Sequence, residues 1–114
     1  MSETAALLLS IVIEAIVALA AMHVSGWGSG WRAALAATVG TLITHPVVWR
    51  TVPPLTLVTG YGAAVALIEA GVVFAEGVAY RVIVPLAWRR ALLVSLIANA
   101  ASTAAGLAAN ALLA

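Results

Sequence analysis

Three carboxyl groups lie inside long apolar stretches of this 114-residue sequence, at Glu14, Glu69 and Glu76. A charged acid at the centre of a membrane helix costs about 2.5–3.5 kcal/mol even on a lenient insertion scale. The five basic residues are all arginines at the ends of the apolar stretches, so none lies at the depth of these acids. The sequence therefore predicts that the acids hold protons, bind a cation or pair with the charge of a partner.

His45, which precedes Pro46, adds an imidazole to the same set of polar groups. At 1.5 Å per helical residue, we expect His45 to lie about 7 Å and Glu14 about 15 Å below the outer surface. On the same count, Glu69 lies at about 20 Å and Glu76 at about 30 Å. These depths predict a staggered ladder rather than one cluster. Such a ladder favours a proton or cation path, because each transfer spans only a few ångströms.

Other polar side chains recur at helical spacing, so each apolar stretch has one polar face. Hydroxyl and amide groups commonly form hydrogen bonds between membrane helices. A supporting polar role is therefore predicted for Asn99, Ser102, Ser95 and Tyr80. Of these, Asn99 is expected at the depth of Glu69, and Tyr80 one helical turn beyond Glu76.

A metal-binding interpretation stays open for part of this set. A catalytic metal ion needs about three converging protein ligands, and Glu14, His45 and Glu69 could supply them from separate helices. The sequence has no HExxH motif, no Asp and no Cys. An intramembrane metal-dependent enzyme is therefore the weakest interpretation. We predict no cofactor, and a bound cation is the one ligand that the acids favour.

Helices that cross a membrane must position these residues. Hydrophobic residues make up 65% of the chain and charged residues 8%, whereas soluble proteins average about a quarter charged. A bilayer core needs roughly 20 apolar helical residues, and four stretches supply them: 4–24, 32–50, 56–80 and 89–112. The sequence thus predicts an all-α polytopic membrane protein. Its single domain, 1–114, would be a four-helix transmembrane bundle with short connections, the second connection being marked by Pro53 and Pro54.

Aromatic and basic residues predict the orientation of this bundle. All four tryptophans fall at span ends, where indole rings favour the headgroup region. The first and third connections carry Arg32, Arg81, Arg89 and Arg90. Only Arg50 lies on the side of the termini. Because arginine-bearing connections tend to face the cytoplasm, we expect a protein of a bacterial inner (cytoplasmic) membrane with both termini outside.

The length, the four spans and Glu14 in the first span resemble the small multidrug transporters. In that family a carboxylate of the first helix exchanges protons for cationic substrates, and this is the role that the resemblance implies for Glu14. The later spans depart from the family, because they lack its aromatic, glycine-rich binding face. Three intramembrane acids also exceed the family's pattern.

Two classes of function follow from these residues. The first is transport of protons or cations, with Glu14 and Glu69 as the charge-binding centre and His45 and Glu76 as relays. A narrow bundle leaves little lumen, so we expect a homo-oligomer. The second is an accessory or structural subunit of a larger membrane complex, whose basic helix pairs with the acids. A net charge of +1 without a basic cluster argues against nucleic-acid binding.

Overall fold

The chain forms four helices over residues 1–113, the part that this computed structural model describes. They are α1 (Glu3–Ser25), α2 (Gly30–Thr59), α3 (Tyr61–Ile83) and α4 (Trp88–Leu113). The predicted all-α fold class is confirmed. Three helices, α1, α3 and α4, are long and apolar enough to cross a membrane. The helix that holds the predicted span 32–50, α2, is not among these three, because threonine, histidine and proline dilute its apolar residues.

Local capping explains where the first two helices begin and end. The Ser2 hydroxyl accepts a hydrogen bond from the Ala5 N–H at 3.1 Å, which caps the start of α1. At the other end Gly26 adopts φ 69°, and its N–H donates to the Met22 carbonyl at 2.8 Å. This left-handed conformation favours glycine and ends the helix. Ser29 then caps α2 by accepting from the Arg32 N–H at 3.4 Å.

The junction between α2 and α3 lies later in the chain than the sequence predicted. A connection was expected at Pro53 and Pro54, with the next span starting at 56, but α2 continues through both prolines to Thr59. Proline removes one backbone hydrogen bond yet keeps a helical φ, so a helix can continue through it. The break occurs instead at Gly60, whose φ of 87° and ψ of 158° are open only to glycine.

Each helix packs mainly against two others, so the four form a closed ring in the order α1, α2, α3, α4. Near the α1–α2 and α3–α4 connections the interior is apolar and rich in alanine. Further along the helices the interior becomes polar. Its buried side chains are Glu14, Thr41, Thr44, Glu76, Ser95, Asn99 and Ser102. Large apolar side chains cover much of the outside, including Leu8, Val12 and Ile16 on α1.

A close approach of α2 to α3 lies beside this polar interior. A Cβ atom on Gly40 would lie 2.9 Å from Cγ and 3.6 Å from Cα of Glu76. Ala36, one turn earlier on α2, is completely buried. These small residues let the two helices approach closely, and they thereby hold Glu76 against α2.

Candidate functional site

Glu76 lies at the centre of the polar interior and joins three helices. Its side chain is 1% exposed. One carboxyl oxygen, Oε2, accepts a hydrogen bond from the Thr44 hydroxyl of α2 at 2.8 Å. The other, Oε1, accepts from the Asn99 amide of α4 at 3.2 Å. Each oxygen therefore has a donor from a different helix, which fixes the orientation of the carboxyl group.

A second set of hydrogen bonds positions Asn99 itself. Its Nδ2 group also donates to the Ser95 carbonyl at 2.9 Å. The Ser95 hydroxyl in turn donates to the Val73 carbonyl of α3 at 2.7 Å. On the next turn of α4 the Ser102 hydroxyl donates to the Asn99 carbonyl at 3.1 Å. The polar stripe of α4 thus holds the amide donor of Asn99 toward Glu76.

Glu14 brings a second buried carboxyl group to the same place from α1. Its side chain is 2% exposed and lies next to Glu76, Ser102 and Thr41. Neither Oε1 of Glu14 nor the hydroxyl of Thr41, which is also 2% exposed, has a hydrogen-bond partner. A buried polar group without a partner carries a free-energy cost of about 1–3 kcal/mol. Unlike Glu76, Glu14 therefore has bonding capacity left for a ligand.

The two carboxyl groups face a common cavity of about 150 Å³. Helices α1 to α4 all contribute to its lining. The polar lining residues are Ser10, Glu14, Thr41, Thr44, His45, Glu69, Glu76, Asn99, Ser102 and Thr103. No arginine or lysine within residues 1–113 lines this cavity. It therefore collects acidic, hydroxyl and amide groups without a basic partner.

Glu69 lies at the rim of this cavity rather than at its centre. Its side chain is half-buried, two turns of α3 before Glu76. Glu69 and Thr103 also line two larger clefts, of about 620 Å³ and about 370 Å³. The smaller of these includes Trp49 and Tyr61 and leads toward the α2–α3 junction. Glu69 thus stands where the polar cavity meets its surroundings.

His45 reaches the cavity from α2, one residue after Thr44. The ring is half-buried, and Nδ1 is buried without a hydrogen-bond partner. The ring centre lies 6.0 Å from that of Trp49, the residue one turn later. His45 therefore belongs to the cavity wall, but no carboxyl group bonds its Nδ1 atom.

Two of the expected supporting residues lie outside the cavity lining. Ser95 does not line the cavity but contacts Asn99, which does, and α3. Tyr80 is completely buried one turn beyond Glu76, and its hydroxyl has no hydrogen-bond partner. Tyr80 lies in the alanine-rich layer, where it closes the polar interior on the side of the arginine-bearing connections.

The expected ladder of separate polar groups is wrong, because Glu14, His45, Glu69 and Glu76 line one cavity. The position of the α2–α3 turn explains the error. Moving the turn of a helical hairpin from 53–54 to Gly60 slides α3 along α2 by about 13 residues, or about 20 Å. This displacement is close to the separation that the sequence predicted between His45 and Glu76. The ladder therefore collapses into a cluster.

Two further observations concern what could compensate these acids. Arg81, the arginine nearest to Glu76 on α3, donates from Nη1 to the Leu86 carbonyl at 2.9 Å, and its guanidinium lies over the Trp88 ring. Within residues 1–113 no three His, Asp or Glu side chains are arranged to hold a metal ion. Glu14, His45 and Glu69 share the cavity without forming such a ligand set.

Two threonines of the site were not singled out from the sequence. Thr44 supplies the shortest hydrogen bond to Glu76, and Thr103 lines the rim beside Glu69. The available signal for Thr44 was its position three residues after Thr41, on the polar face of α2. Thr103 follows Ser102 directly, so helical periodicity alone did not distinguish it.

No protein-family model, curated protein or solved structure matches this chain. The site itself is therefore the basis for a proposed function.

Proposed function

We propose that this chain is an integral membrane protein that binds protons or cations in its polar cavity and moves them across a bacterial inner membrane. In this proposal α1 to α4 form a transmembrane bundle, with both termini outside the cell. Glu14 and Glu76 bind the transported charge, while Glu69 and His45 exchange it with the surroundings. The working form is a homo-oligomer.

The outer surface supports the membrane placement. Exposed side chains on α1, α3 and α4 are large and apolar along most of each helix, with Leu67, Phe74 and Leu96 as examples. A contiguous apolar surface of this extent is rare on a soluble monomer. The longest dimension is 41 Å, which matches a bilayer of about 40–45 Å including headgroups. We place α2 in the bilayer as well, because it lies between α1 and α3.

The neighbouring Glu14 and Glu76 carboxyl groups are the observation that carries the proposed ion handling. Two buried carboxylates without a basic neighbour would repel each other and lose their hydration. Charge balance therefore requires at least one proton or one cation between them. The unpartnered oxygens of Glu14 and Thr41 leave room for that ion to bind.

The open access to the cavity supports ion movement through the protein rather than permanent ion binding. The cleft that contains Trp49 and Tyr61 shares Glu69, Thr103 and Val48 with the cavity. An ion could therefore reach Glu69 from the side of the α2–α3 junction. On the opposite side Tyr80 and the alanine-rich layer close the interior. In this proposal, the described conformation is open toward the side of the termini, and transport requires a second conformation.

Glu76→Gln and Glu14→Gln test this function. Both substitutions keep the side-chain size but remove the ionisable group. We expect each to lower flux at least about tenfold, since removal of a buried charged partner typically changes an equilibrium by more than about 1.4 kcal/mol. Flux is measured in vesicles containing the purified protein and a pH-sensitive dye, with sodium, potassium and proton gradients applied separately.

Glu3→Gln is the matched control, because it removes a glutamate from the first turn of α1 that is not among the residues lining the cavity. This variant should transport like the unmodified protein. Flux at the unmodified level in both Glu14→Gln and Glu76→Gln would contradict the proposal, provided that circular dichroism shows both variants to be helical. Glu69→Gln is expected to slow exchange, because Glu69 lies at the rim.

Purification of the chain alone separates transport from an accessory role. A transporter should remain a defined homo-oligomer in detergent, and its thermal stability should change with pH or with the cation. An accessory subunit, whose acids pair with a partner's basic helix, should be unstable alone and insensitive to cations. The latter result would favour the accessory function.

A further inference from the structure

A continuous groove follows the outer side of α3 and α4, and its two ends differ in chemistry. It begins in a cleft of about 610 Å³ lined by Trp27, Ala87, Arg89, Arg90 and Leu93. The next cleft, of about 470 Å³, shares Arg89 and Leu93 and is otherwise apolar. A third, of about 620 Å³, shares Ala70, Val73 and Leu96 with the second. The groove therefore runs from two arginines through an apolar stretch to Glu69, Asn99 and Thr103 at its far end.

The charged side chains at the basic end of the groove are complementary to an anion. The Arg90 guanidinium lies 5.0 Å from the centre of the Trp27 ring, which holds this side chain at the cleft. The four glutamates are residues 3, 14, 69 and 76, so no acidic residue occurs in either adjoining connection. Arg89 and Arg90 also lie in the first turn of α4, where the helix dipole adds positive potential. An anionic group would be the complementary ligand.

The apolar part matches a hydrocarbon chain in length and lining. From Arg89 to Asn99 is ten residues of α4, or about 15 Å, which is half of a bilayer core of about 30 Å. Phe74, Leu92 and Leu96 line this part. If the headgroup of a lipid lies at Arg89, an acyl chain of that lipid would therefore end beside Asn99.

We propose that this groove binds an anionic membrane phospholipid. The phosphodiester group contacts Arg89 and Arg90, Trp27 borders the headgroup, and one acyl chain lies between α3 and α4. The inference rests on the membrane placement proposed above and does not depend on ion transport. Charge complementarity selects the lipid over a second copy of the chain, because the charged side chains at this end are all basic and would repel the same end of another copy.

Lipid binding to the purified full chain tests the proposal. The probes are phosphatidylglycerol, which is anionic, phosphatidylcholine, which is zwitterionic, and inorganic phosphate. We measure the thermal unfolding midpoint in detergent and the retained lipid by native mass spectrometry. Phosphatidylglycerol should stabilise the protein, whereas phosphatidylcholine and phosphate should have little effect. Arg89→Gln with Arg90→Gln should weaken phosphatidylglycerol binding about 30-fold, as expected for two arginines near a membrane surface.

Two further variants separate the contribution of the lipid headgroup to binding from that of the acyl chain. Arg50→Gln removes the same charge at the other end of the molecule and should bind phosphatidylglycerol normally. Ala70→Phe fills the groove where its second and third clefts overlap and should weaken binding while both arginines remain. The proposal is overturned if phosphatidylcholine stabilises equally, if the double arginine variant keeps full affinity, or if Ala70→Phe blocks only dimer formation.

The lipid site and the proposed transport can fail independently. Glu76→Gln should lose flux but keep phosphatidylglycerol binding. If transport is absent while the lipid preference remains, only the ion-handling function is wrong. If vesicles of either lipid take up the unmodified protein equally, without a headgroup preference, only the lipid site is wrong. Failure to insert into any vesicle would contradict the membrane placement on which both proposals rest.

Discussion

At the scale of single residues, two buried threonines on one face of α2 differ in their hydrogen bonding. The Thr44 hydroxyl bonds Glu76 at 2.8 Å, whereas the Thr41 hydroxyl, one turn earlier, has no partner. A buried hydrogen bond stabilises a fold mainly because leaving its acceptor unsatisfied is costly. The same substitution should therefore have different effects at these two positions.

Thr44→Val should lower the free energy of unfolding by about 1–3 kcal/mol, because Glu76 loses a donor while the side-chain volume stays the same. Thr41→Val should change the stability by less than about 0.5 kcal/mol or increase it, because it removes a buried hydroxyl that has no partner. Chemical unfolding in detergent measures both. Equal destabilisation by the two variants would contradict the described hydrogen bonding of Glu76.

At the scale of elements, the register between α2 and α3 decides which polar groups meet. Gly60 sets the turn, and Gly40 sets the approach of the two helices. With the turn at Gly60, Thr44 lies opposite Glu76. A turn at Pro53 and Pro54 would have placed Glu76 opposite the start of α2, about 13 residues away from Thr44 and far from Glu14. The site therefore depends on two glycines that take no part in its chemistry.

Gly40→Ala should destabilise the protein by about 1–3 kcal/mol, because the added Cβ would lie 2.9 Å from Cγ of Glu76. It should also reduce ion flux, since Glu76 must shift. Gly71→Ala is the control: nothing lies within 4 Å of a Cβ there, and alanine in a helix favours stability by about 0.5–1 kcal/mol over glycine. Loss of stability at both positions would indicate that the α2–α3 contact is not specific.

At the scale of the whole molecule, polar groups lie in the interior and apolar groups on the outside, the reverse of a water-soluble protein. The centre holds two carboxyl groups, and the outside holds leucine, valine, isoleucine and phenylalanine. Water would favour the opposite arrangement, so the proposed bilayer explains both features together. The arginines and tryptophans then lie mainly at one end, near the α1–α2 and α3–α4 connections, and predict that this end faces the cytoplasm.

Single cysteines test this orientation, because the chain has no cysteine of its own. Thr59→Cys lies at the α2–α3 junction and Ala87→Cys in the connection before α4, and both positions are exposed. A membrane-impermeant maleimide applied to the outside of intact cells should label Thr59→Cys alone, whereas Ala87→Cys should need permeabilised cells. The reverse pattern would invert the proposed topology, and labelling of both from outside would indicate dual insertion.

What the sequence determined by itself was local. Helical periodicity and the length of the apolar stretches were sufficient for four helices and for the bounds of α1 and α4 to within one residue. The polar faces were also readable, because residues one turn apart share a face whatever the helix contacts. The lack of an internal basic partner for Glu14, Glu69 and Glu76 followed from composition alone.

Only the tertiary structure decided which faces meet, and at what height. Pro53 and Pro54 predicted the end of a helix, but the φ of proline is compatible with a helix, and α2 continues through both residues. The turn at Gly60 therefore had to be observed. That single difference converts a ladder into a cluster around Glu76. The groove from Arg89 toward Glu69 was equally hidden, because it is formed by side chains of two helices whose relative position no local pattern specifies.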